Sequence, residues 1–69
     1  MTENRIKKLR ELYGISQISL SARAGISQPY LHDLENNRRG AKPETLKRIA
    51  DVFGISVDDL VTENSKEVN

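Results

Sequence analysis

The segment Ser16-Gln17-Ile18-Ser19-Leu20-Ser21-Ala22-Arg23-Ala24-Gly25-Ile26-Ser27-Gln28-Pro29-Tyr30-Leu31-His32-Asp33-Leu34-Glu35-Asn36 reads as two short helices meeting at a sharp corner. Gly25 can end the first by adopting a left-handed backbone that a Cβ would disfavour, and Ser27 can cap the second. Such a pair is a helix-turn-helix. Its second helix has an apolar edge of Leu31 and Leu34. At about 100° per residue, Gln28, Pro29, His32, Asp33 and Asn36 fall roughly opposite that edge, a polar face of the kind that enters a DNA major groove.

Composition narrows the alternatives. A chain of 69 residues is one small domain, and without cysteine neither disulfides nor thiolate metal sites can supplement its core. No apolar run approaches the roughly 20 residues needed to cross a membrane, and an N-terminal signal peptide is not evident, so a cytoplasmic address is expected. The net charge of +1 conceals a polarity: residues 1–48 carry +5 and residues 49–69 carry −4. A basic front half suits phosphate, and the acidic rear is expected to face away from it.

Along the chain, Thr2 can cap a first helix with Ile6, Leu9, Leu12 and Tyr13 at helical spacing and therefore expected inward. Gly-Ile-Ser then occurs three times, at 14–16, 25–27 and 54–56, each time with a Leu four residues after the Ser. Gly closes one helix, Ser caps the next, and Ile with Leu forms a hydrophobic staple that sets the entry angle. The second helix, about Gln17 to Ala24, turns Leu20 and Ala24 inward and leaves Ile18 outward. Gln17, at its start, can hand an amide to a phosphate.

The third helix, about Gln28 to Asn36, tolerates Pro29 because its first turn needs no N–H there. Gln28 is the first choice for base recognition, since its amide can donate to N7 and accept from the N6 amine of adenine together. His32 can donate to a guanine acceptor or simply be solvated. Asp33 can accept from the N4 amine of cytosine, reject wrong sequences by repulsion, or hold a neighbour in place. No second His and no Cys accompany His32, so a metal site is not expected. Glu35 falls beside the leucines on the wheel, where a carboxylate needs a partner, and Arg10 is the candidate. Asn37, Arg38, Arg39, Gly40, Ala41 and Lys42 form a basic loop suited to gripping a phosphate backbone. Pro43 opens a fourth helix with an inward stripe of Leu46, Ile49, Ala50 and Phe53. A short fifth helix, Val57 to Val61, carries Asp59 at a capping-box position and Leu60 inward, with Val57 and Val61 as candidates for a dimer contact. Residues 62–69 show no periodicity and are expected to form a frayed polar tail behind a domain of residues 1–61.

Ser16-Gln17, Leu20, Gly25-Ile26-Ser27, Leu31, Leu34-Glu35-Asn36, Pro43-Glu44-Thr45-Leu46 and Gly54-Ile55-Ser56-Val57-Asp58-Asp59-Leu60 together resemble the phage repressor and Cro family of helix-turn-helix regulators, the xenobiotic-response-element family. The resemblance covers residues 5–61. It implies an all-α, lambda-repressor-like domain of five helices that binds operator DNA as a symmetric dimer. It further implies a phosphate contact for Gln17, base-contacting positions for Ser27, Gln28, Pro29 and Asp33, and backbone contacts from Asn36, Arg38 and the loop to Pro43. An Arg10–Glu35 pairing is likewise seen in members of that family. The chain departs from the pattern at Ser21, where Ala is usual, at Asn37, where Gly is usual and Asn can take a left-handed backbone, and at Pro29, which leaves only an apolar contact at a reading position.

The expected function is therefore sequence-specific binding of a near-palindromic DNA operator by a homodimeric transcriptional regulator, most simply a repressor, without cofactor. The alternative is the same fold used as a protein-interaction module, such as an antitoxin-like adaptor. Catalysis is not expected, because no nucleophile–base pair, metal set or glycine-rich phosphate loop is present in the sequence.

Overall fold

The computed structural model describes residues 5–61. Five helices follow one another: α1 (Ile6–Leu12), α2 (Gln17–Ala24), α3 (Gln28–Glu35), α4 (Pro43–Phe53) and α5 (Val57–Val61). Helix α2 packs on both α3 and α4, α1 lies against α3, and α5 closes on α4. Leu20, Leu31, Ile49 and Leu60 are wholly buried at the centre, with Ile6, Leu9, Ala24, Leu34, Ala50 and Phe53 around them.

The three Gly-Ile-Ser corners have one geometry. Gly14, Gly25 and Gly54 take φ of +70°, +73° and +72°. The N–H groups of Ile15, Ile26 and Ile55 reach back to the carbonyls of Arg10, Ser21 and Ala50 at 3.0–3.1 Å, the closure that satisfies orphan carbonyls at a helix end. Ser16, Ser27 and Ser56 then accept from the backbone N–H of Ser19, Tyr30 and Asp59 at 3.0–3.2 Å. A fourth corner follows α3 without glycine. Asn37 stands at φ +58°, and Arg38 N–H donates to Asp33 O at 2.8 Å, so asparagine performs the same left-handed closure.

The first helix differs from its sequence reading. Leu12 is 75% exposed and Tyr13 50% exposed, so the inward stripe ends at Leu9. A helix of seven residues that packs on α3 has room to bury one narrow edge, and Leu12, the last residue of the helix, projects beyond it. Tyr13 nevertheless lays its ring edge-on to Phe53 at 5.0 Å. Arg5 occupies the N-cap of α1, donating its N–H to Leu60 O at 2.9 Å and Nη1 to Asp59 O at 3.0 Å, which ties α1 to α5. The proposed cap Thr2 and the proposed tail 62–69 lie outside the described residues.

Candidate nucleic-acid interface

Helix α3 is fixed from below by its leucines and by charge. Glu35 is buried beside Leu31 and Leu34, its side chain only 1% exposed. Arg10 meets it in a two-pronged pair, Nε to Oε2 at 2.7 Å and Nη2 to Oε1 at 3.1 Å, while Arg10 Nη1 donates to Ile15 O at 3.1 Å. The pair joins α1, the first corner and α3 in one network. Hydrogen bonding to Glu35 is the main cause that raises the Arg10 pKa above its already high ordinary value, outweighing burial.

Gln17 bridges this network to the reading helix. Its Nε2 donates to Glu35 Oε1 at 3.0 Å and its Oε1 accepts from Gln28 Nε2 at 3.2 Å. The expectation for Gln17 concerned phosphate alone. Here one of its two N–H groups is already engaged and one remains.

On the opposite side of α3, Gln28, Pro29, His32 and Asn36 are exposed and Asp33 is half-buried. Ser27 is exposed, its hydroxyl oxygen occupied by the cap. Asn36 donates Nδ2 to His32 O at 2.8 Å and lies 3.3 Å from His32 Nε2, so these two side chains are associated at the end of the helix. Arg38, Arg39 and Lys42 are exposed on the loop to α4, and among the described residues none of the three is ion-paired. By contrast, Lys47 and Arg48 on α4 lie 3.8 and 3.6 Å from Asp51 and Glu44. Positive charge is thus left uncompensated beside α3 and partly neutralised on α4.

Tyr30 is a residue that the sequence reading assigned no role. The Arg39 guanidinium sits 5.3 Å from its ring centre, a cation–π contact that folds the loop back on the first turn of α3. Ser27, Tyr30, Arg39, Gly40, Lys42 and Thr45 line the resulting concavity. The available signal was an aromatic in the first turn of the reading helix followed by a cationic loop. Nine residues of separation gave no periodicity to exploit. Val57 and Val61 are half-buried and pack on the core. Among the described residues no cluster of three or more His, Cys, Asp or Glu could hold a metal ion, and no helix is long and apolar enough to cross a membrane.

Comparison with known proteins bears on the fold that carries these residues. The family model described as "Helix-turn-helix" matches residues 6–60. The HTH-type transcriptional regulator DdrOP3 of Deinococcus deserti is 40% identical over 57 residues, 83% of this chain and 44% of that protein. The immunity repressor protein of Bacillus phage phi105 is 34% identical over 61 residues, 88% of this chain and 42% of that protein. This chain therefore spans less than half the length of either relative. Among solved structures, the master regulator for biofilm formation SinR of Bacillus subtilis, in complex with DNA, superimposes with a TM-score of 0.73 at 31% identity, covering 77% of this chain and 86% of that one. With its corners, its buried ion pair and a family match running from α1 to α5, the chain belongs to the helix-turn-helix family of phage-repressor-type regulators.

Proposed function

We propose that this domain binds double-stranded DNA in a sequence-specific manner and regulates transcription, acting as a repressor, with α3 in the major groove. The observation that carries this reading is the joining of two surfaces. The polar outer face of α3 and the cations of the following loop, none of them ion-paired among the described residues, are held beside each other by the Asn37 corner, with Arg38 N–H on Asp33 O at 2.8 Å, and by the Tyr30–Arg39 contact. One surface suits base edges and the other suits phosphates. In this reading Ser27, Gln28, Pro29, His32 and Asp33 meet the bases. Gln17, through its remaining N–H, and Asn36, Asn37, Arg38, Arg39 and Lys42 hold the backbone.

Two copies related by a two-fold axis, meeting through Val57 and Val61, place their reading helices one DNA turn apart, roughly 34 Å, on a near-palindromic site. A cytoplasmic address accords with that role. Selection of bound duplexes from a random pool tests the reading. An enriched palindromic motif with half-sites about one turn apart is the expected result. A chain that enriches no motif, or that is retained on DNA only at low salt irrespective of sequence, overturns it.

A further inference from the structure

A line of side-chain hydrogen bonds runs from the buried ion pair to the surface of α3, and its direction is not free. Arg10 is a donor only, and its Nε and Nη2 face both oxygens of Glu35 at 2.7 and 3.1 Å. Those oxygens accept, so the part of the Gln17 amide that meets Glu35 Oε1 at 3.0 Å has to be its NH2. Gln17 Oε1 is thereby turned towards Gln28 and can be met only by a donor, which is Gln28 Nε2 at 3.2 Å. Gln28 consequently holds its NH2 on the Gln17 side and its carbonyl oxygen on the far side.

We infer that Glu35, buried and itself touching neither bases nor phosphates in this reading, fixes the donor–acceptor order that Gln28 offers to a base pair, and so sets the base preferred there. The inference rests on the reading of α3 as the DNA-reading helix. A free glutamine amide has two settings related by a half-turn about Cγ–Cδ, which exchange donor and acceptor. Turning Gln28 alone would bring two carbonyl oxygens together. Turning Gln17 as well would set its carbonyl against the Glu35 carboxylate. Only one order satisfies the whole line, and it leaves Gln28 with one N–H beside its oxygen, the pair that matches N7 and N6 of adenine in one strand orientation. Glu35 and Gln17 are positioning residues in this scheme, and Gln28 is the reader.

The test compares base preference with stability. The base pair read by Gln28 is first identified as the position whose preference disappears in Gln28→Ala. Binding of the selected duplex and its three substitutions at that pair is then measured for the wild type, Glu35→Gln, Gln17→Met and Arg10→Lys, together with thermal unfolding of each. Glu35→Gln keeps the shape of the side chain but adds a donor, so Gln17 can be met in either order, each at the loss of one Arg10 bond. Gln17→Met cuts the line and leaves the ion pair in place, so it carries the test even if Glu35→Gln does not fold. Arg10→Lys keeps a donor-only cation against Glu35. The expected wild-type preference of about tenfold or more falls to within about threefold in Glu35→Gln and Gln17→Met, at that pair only. Arg10→Lys loses stability and keeps the preference. Wild-type preference in both relay variants overturns the inference, as does a loss at every position in step with stability across all three. A wild type without any preferred duplex overturns the DNA-binding reading itself, and the relay with it.

Discussion

Replacing Arg10 by Met removes the cation from a carboxylate whose side chain is 1% exposed and leaves Glu35 with the single N–H of Gln17. Methionine fills much of the space, so the loss is mainly electrostatic. Breaking a buried pair from one side costs roughly 3–5 kcal/mol, because the remaining charge stays desolvated without compensation. A domain of this size has a total stability of about 3–10 kcal/mol. The variant is therefore expected at the edge of unfolding, with its midpoint lowered by about 12–40 °C at roughly 4–8 °C per kcal/mol. Urea unfolding followed by circular dichroism measures the change, with an unchanged slope showing that the two end states are the same. Arg10→Met combined with Glu35→Met removes both charges and is expected to recover most of the loss, giving a coupling of at least about 2 kcal/mol in the double-mutant cycle.

The pH dependence has a definite sign. The folded-state pKa of Arg10 is raised, so its contribution is fully present below the unfolded value and is lost only as pH rises through the folded one. Titration of Arg10 itself should accordingly add no difference to the Arg10→Met penalty between about pH 6 and about pH 9, both far below the ordinary arginine range. A penalty under about 1 kcal/mol would refute the reasoning, because that is the magnitude of an exposed ion pair.

Leu31→Ala is expected to cost about 2–5 kcal/mol, whereas Leu12→Ala at an exposed site should stay within about 0.5 kcal/mol, both read by urea unfolding. Gly25→Ala meets Arg48 Nη1 at an ordinary 3.6 Å, so its cost is that of a left-handed backbone, about 1–2 kcal/mol, while Gly40→Ala, with open space around it, should be nearly silent. Arg39→Ala removes one cation and its contact with Tyr30, and is expected to weaken DNA binding on all sequences alike, lowering the salt slope by about 1 or more.

The corners were legible because their chemistry is local. Gly-Ile-Ser specifies a left-handed closure, a cap and a staple within three residues, and all three copies adopt it. The same locality explains why α2 begins and ends, α4 ends and α5 begins where the spacing put them. Helix α1 was misjudged because periodicity reports an apolar edge without saying how long the neighbour covering it is. Ile6 and Leu9 find a partner surface, and Leu12 runs past it. Arg10 and Glu35, 25 residues apart, could be paired from the wheel because a buried carboxylate demands a cation. The Gln17–Glu35 bond could have been found by the same accounting, since the carboxylate has more acceptor sites than Arg10 fills. The contact of Tyr30 with Arg39 depends on the path of an irregular loop, and no local rule fixes that path.

The central claim is that α3 presents Gln28 and its neighbours to base edges while the loop beyond it grips phosphate. Titrating wild type and Gln28→Ala against the selected duplex and against an unrelated duplex of equal length, at one salt concentration, tests it most directly. Gln28→Ala should weaken the selected duplex by about tenfold or more and leave the unrelated one unchanged. Equal weakening on both, or none on either, would contradict it.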